Sequence, residues 1–193
     1  MRRAAHAGLA VLSIDMQVEY FREGGPLRVP RGEAVLQTVR RLLCAARSRG
    51  VPVVHVRHVS SDPLDATFAS GSPGVAFVEE AAPTGDERII TKSLPGAFHA
   101  THPDQVLHEA TVHTVLVCGL LSFMCCDTTA RGRHRSRRSV RGAGLAILDG
   151  DHCGGSSWPA RRGMRGALAR TTPGHIGGRR EACAPRNGLP GLN

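Results

Sequence analysis

Lysine is nearly absent from this chain of 193 residues: of its 25 basic side chains, one is Lys92 and the other 24 are arginine. Its six cysteines, at 44, 118, 125, 126, 153 and 183, form no CxxC pair and no paired Cys/His spacing, which excludes the common structural zinc motifs. No apolar stretch approaches the roughly twenty residues that a membrane-spanning helix needs. The apolar run near the N-terminus, MRRAAHAGLAVLSID, ends at Asp15 with no small-residue cleavage site behind it, so a secretory leader is not indicated. These absences lead us to expect a soluble, cytoplasmic protein with no metal and no other cofactor.

What is present is unevenly distributed. The formal charge of +9 invites a nucleic-acid reading, yet residues 1–130 carry 12 basic against 13 acidic side chains, a net of −1. Residues 131–193 carry 13 arginines against 3 acids, a net of +10. The basic character therefore belongs to the last third alone, which makes nucleic acid an unlikely partner for the rest of the chain.

The first 130 residues alternate strand-like and helix-like segments. GLAVLSID (8–15) is a short apolar run of the kind buried on both faces of a sheet. EAVLQTVRRLLCAARSRG (33–50) places Val35, Val39, Leu42, Leu43 and Ala46 on one helical stripe and stops at Gly50. The β-branched VPVVHVRHV (51–59), ERIITK (87–92) and TVLVCG (114–119) are further strands, and HPDQVLHEA (102–110) is a short helix opened by Pro103. A Ser/Asp/Pro/Gly-rich connection over 60–85 is expected to run over the sheet as a wall of a site. Alternation of this kind predicts an α/β fold with a mainly parallel sheet.

Ligands of open α/β sheets sit beyond the carboxyl ends of the strands. Asp15 ends the first strand, Lys92 the third, and Gly119 the fourth, followed by LLSFMCC. An acid, an amine and a thiol are thus brought to one sheet edge, a set suited to covalent catalysis by cysteine, with Asp15 as base and Lys92 as stabilising cation. A thiol beside that cation and near a helix start is expected to have a depressed pKa. Each residue also has a simpler role open to it: Asp15 as a turn residue, Lys92 as a solvated charge, Cys125 as a small buried apolar group. His55 and His58 lie three apart on a strand, so they face opposite sides and do not form a joint metal site.

The ordered blocks SIDMQVEYF (13–21), ITKSLPGAF (90–98) and VCGLLSFMCCDTTAR (117–131) resemble the isochorismatase-like cysteine hydrolase superfamily, whose members include nicotinamidases and other amidases. The resemblance covers roughly residues 8–131. It implies a three-layer, Rossmann-type sandwich and the hydrolysis of an amide C–N bond of a small molecule through a thioester. Asp15 then matches the general base, Lys92 the lysine between acid and thiol, and Cys125 the nucleophile, with Cys126 left in the core. The Leu120–Leu121 bond falls where the family has a non-proline cis peptide, and the backbone N–H groups of Leu121 and Cys125 fall where an oxyanion would be held. Phe21, Phe98 and Phe123 stand beside the three blocks and are candidates for the substrate pocket, with core packing as their alternative. Family members commonly assemble as homo-oligomers.

After TTAR the pattern changes. Residues 132–193 hold 13 glycines, no lysine and one aromatic, Trp158. Only GLAILD (144–149) resembles a strand, and ARRGMRGALAR (160–170) is at best a weak helix. We therefore divide the chain into a hydrolase domain over 1–131, incomplete at its C-terminal end, and an Arg/Gly-rich tail over 132–193. A shifted reading frame of a GC-rich gene, a basic extension that binds an acidic partner, and a disordered, solvated end all remain open for that tail. So do a catalytically impaired hydrolase and nucleic-acid binding as functions of the whole.

Overall fold

A computed structural model describes residues 8–135 and 144–145, with side chains to residue 132. Five strands form one sheet in the order β3-β2-β1-β4-β5, and every pairing is parallel. They are β1 (Leu9–Ile14), β2 (Val53–His58), β3 (Arg88–Lys92), β4 (Thr114–Gly119) and the two-residue β5 (Gly144–Leu145). The helices are α1 (Gly32–Ser48), α2 (Pro103–Glu109) and α3 (Asp127–Arg135).

Alternation along β1 explains the layers, because successive side chains of a strand point to opposite faces. Ala10, Leu12 and Ile14 join Val54, Val56, Val115, Val117, Leu107 of α2 and Ala130 of α3 in one apolar cluster. Val11 joins Val53 and the α1 stripe of Val35, Leu36, Val39 and Leu43 in the other. The sheet is thus covered by α1 on one face and by α2 and α3 on the other, the three-layer arrangement expected from the sequence. Each fully buried Val, Leu or Ile stabilises the fold by about 1.5–3 kcal/mol relative to exposure.

The long connection after β2 is packed more firmly than a surface wall. Phe68, Val75, Val78 and Ala81 are all buried in the α1-side cluster. The backbone of 75–78 is pinned to the segment after β1 by Val18 N–H to Ala76 O (2.8 Å) and Val78 N–H to Met16 O (3.0 Å). No helix among the described residues is long and apolar enough to cross a membrane. Of the segments expected after TTAR, GLAILD is seen only as β5. Residues 146–149, the weak helix at 160–170 and nearly all of the tail lie outside the described residues.

Candidate active site

The strand order places β2 and β3 on one side of β1 and β4 on the other, so the connection reverses direction between β1 and β4. The crevice at such a reversal, at the carboxyl ends of the strands, is where α/β sheets bind ligands. Asp15 is the first residue beyond β1, and it adopts a left-handed backbone with φ 48°. Gly119 ends β4 with φ 119°. A Cβ there would stand 2.0 Å from the Ile14 carbonyl oxygen, so only glycine lets the two strand ends close on each other. That same carbonyl accepts the Leu120 N–H at 3.0 Å.

Beyond Gly119 the Leu120–Leu121 peptide is cis. The chain then enters a π turn, Ser122–Cys126, that runs directly into α3. The Leu121 carbonyl accepts the N–H groups of Met124 (3.2 Å) and Cys126 (3.1 Å), which ties the turn to its entry. Cys125 and Cys126 face inward, while Phe123 and Met124 face out.

Three side chains meet at the strand ends. The Lys92 ammonium lies 2.7 Å from Asp15 Oδ2 and donates to Cys125 Sγ at 3.4 Å. All three are buried, with exposures of 0% for Asp15, 1% for Lys92 and 5% for Cys125. Burial raises the Asp15 pKa above its ordinary carboxylate value, with Lys92 working against that rise. Burial also pushes the Cys125 thiol up to about 11, with the Asp15 charge adding to the rise and Lys92 opposing it. This reverses the depressed thiol pKa expected from sequence. Proximity to a cation does not suffice when the thiol is desolvated and a carboxylate shares the cation.

The neighbouring residues are packed in different ways. Gln17, which sequence reasoning passed over, is fully buried two residues beyond Asp15. Its amide donates to the carbonyls of His58 (2.8 Å) and Val75 (3.0 Å) and accepts the His58 N–H at 2.7 Å, clamping the ends of β1 and β2 and the 75–78 segment together. The signal was a long polar side chain inside the SIDMQ block. The three phenylalanines lie in different surroundings. Phe21 packs against the α1-side cluster and borders a surface cavity of about 420 Å³ with Arg28–Glu33, which holds none of the three central residues. Phe98 packs against the opposite cluster, and Phe123 is 62% exposed.

No metal-binding group of His, Cys, Asp or Glu occurs among the described residues. His55 is fully buried and bonded to Glu87 Oε2 at 3.0 Å. His58 sits edge-on to Phe68 with ring centres 5.3 Å apart. The two imidazoles thus serve different neighbours.

The isochorismatase domain model matches residues 9–136. An uncharacterized isochorismatase family protein of Bacillus subtilis, YddQ, is 34% identical over 122 residues, which cover 63% of this chain and 67% of that protein. The maleamate amidohydrolase of Pseudomonas putida is 31% identical over 134 residues, covering 63% of each chain, so the match leaves more than a third of that enzyme's length unspanned. Among solved structures, a cysteine hydrolase from Pseudomonas syringae pv. phaseolicola superposes with a TM-score of 0.63 at 33% identity, covering 73% of this chain and 70% of that one.

Proposed function

The chain belongs to the isochorismatase family of hydrolases, and from that premise we propose that it cleaves an amide C–N bond of a small molecule through a thioester on Cys125. The observation that carries this reading is the Lys92 ammonium held between Asp15 Oδ2 and Cys125 Sγ at 2.7 and 3.4 Å. The cysteine itself distinguishes this site from isochorismatases proper, which cleave a vinyl ether and lack it. Relatives named maleamate amidohydrolase, nicotinamidase and N-carbamoylsarcosine amidase add to the amide reading.

In this mechanism the resting thiol is protonated, as its raised pKa requires, and Asp15 is ionised beside Lys92. As Sγ attacks the carbonyl carbon, its proton passes to Asp15, so that no free thiolate need accumulate beforehand. The N–H groups of Leu121 and Cys125 receive the developing oxyanion. Collapse of the tetrahedral adduct breaks the C–N bond, and the departing nitrogen takes the proton from Asp15, leaving a thioester. Water then attacks the thioester with Asp15 again as base, releasing the acid and restoring the thiol. The substrate is small, because the three groups lie beneath the protein surface.

The test is ammonia release by the full chain from maleamate, nicotinamide and N-carbamoylsarcosine, with Cys125→Ala as control. At least one amide is expected to be turned over, with turnover abolished in the variant. Undiminished release by Cys125→Ala would overturn the reading.

A further inference from the structure

We propose that Thr129 is a positioning residue whose hydroxyl staples the loop after Lys92 to the helix after Cys125, and so sets where the thiol stands relative to Asp15 and Lys92. The proposal rests on the amidase reading and deepens it. Lys92 and Cys125 come from separate elements, and the structure shows one narrow seam where the chain following each meets the other.

The seam has three contacts in consecutive order along the loop. A Cβ on Gly96 would stand 3.1 Å from Thr128 Cγ2, so the loop backbone lies almost on the helix. The Ala97 N–H donates to Thr129 Oγ1 at 3.1 Å, in a buried bond, and the Ala97 carbonyl accepts the Thr101 hydroxyl, which closes the loop on itself. Phe98 lies against Gly132, where a Cβ would be 3.5 Å from the Phe98 Cβ.

Thr129 is placed to transmit this contact to the thiol. It is fully buried, and the buried residues of the turn and helix are Ser122, Cys125, Cys126, Thr129 and Ala130. Cys125 lies in the π turn that runs directly into α3, and Thr129, in the first turn of that helix, is buried as Cys125 is. Ala130 of α3 packs into the apolar cluster on this face of the sheet, and the Ala97–Thr129 bond adds a buried hydrogen bond between the helix and the loop after Lys92. Filling this space would require only a residue of threonine's shape, for which valine serves. A hydroxyl that accepts one loop amide selects a single register between loop and helix.

The test reads the thiol directly. The rate of Cys125 alkylation by iodoacetamide is measured against pH by peptide mass spectrometry in the full-length chain, alongside thermal melting. Thr129→Val is expected to melt cooperatively yet shift the alkylation profile to lower pH, with several-fold faster labelling near pH 8, because a displaced thiol leaves Asp15 and its buried surroundings. Thr129→Ser, which keeps the acceptor, is expected to restore the wild-type profile. A valine variant with a lowered melting temperature and an unchanged profile would overturn the proposal and leave Thr129 a packing residue. If the valine variant does not fold, Gly96→Ala decides, since its methyl presses the same loop away from Thr128; a wild-type profile there overturns the proposal equally. Turnover is not read, so a chain that hydrolyses no amide would sink the amidase reading while this comparison still stands or falls by itself.

Discussion

Lys92 shows how much of the proposed chemistry depends on one side chain's length. It ends β3, separated from β1 by β2, yet its ammonium lies 2.7 Å from Asp15 Oδ2 and 3.4 Å from Cys125 Sγ, so its stem brings one nitrogen between a carboxylate and a thiol. A guanidinium is a planar fork rather than a single point donor, and the space it would enter is closed. We expect Lys92→Arg to retain the fold by melting while kcat/KM falls by about 10²-fold, the scale of an ångström's misplacement at a reacting centre; near-wild-type turnover would contradict the role given to Lys92. The protonation states make a second prediction. Asp15 has to be ionised to act as base, and its pKa lies above the ordinary 3.8, so kcat/KM should fall on the acid side at a pH above that value. Burial pushes the Cys125 thiol up to about 11, so no limb from a preformed thiolate is expected between pH 6 and 9. A rate that climbs steadily across that interval as the thiol ionises would show that Asp15 does not take the proton. The sequence identified Asp15, Lys92 and Cys125 as strand-end neighbours, but the direction of the thiol's shift depends on how deeply they are buried together.

At the scale of elements, strand and helix identities were legible because their causes are local. The runs of β1, β2 and β4 are apolar and short, the α1 stripe has helical spacing, and the observed boundaries fall within a residue or two of the pattern. The π turn over Ser122–Cys126 was not legible, because no local residue pattern distinguishes it from the start of an ordinary helix. Nor was the tie that joins α1 to β3. Arg47, in the last turn of α1, donates to both carboxylate oxygens of Glu87 at 2.9 and 2.8 Å. Glu87, just before β3, also meets His55 and the Thr84 N–H. Burial alone would raise the Glu87 pKa, but these donors outweigh it and hold it down to about 2 from an ordinary 4.5. A depressed carboxylate contributes stability above the unfolded value and loses it as pH falls through the folded one. Glu87→Gln is therefore expected to cost about 1–3 kcal/mol at pH 7, with the difference from wild type shrinking between pH 4.5 and about 2. Melting at several pH values checks this, and a difference independent of pH would remove Glu87 as the anchor of that tie.

At the scale of the molecule, the described residues combine a parallel sheet with a candidate site at the reversal of strand order between β1 and β4, and the sequence carries a charge distribution split between its parts. The change of composition read at Arg131 falls inside α3, which continues to Arg135, so the basic run begins on the helix that follows the thiol rather than beyond it. The central claim is that this assembly works through a covalent bond to one of two adjacent cysteines, and it is tested most directly by rapid acid quench of the full-length chain during turnover of an amide, followed by peptide mass spectrometry across residues 117–131. The account predicts an added mass equal to the substrate's acyl group on Cys125, absent when Cys125 is replaced by alanine. Turnover with that mass on Cys126, or turnover that persists undiminished in Cys125→Ala with no acyl adduct, would contradict it.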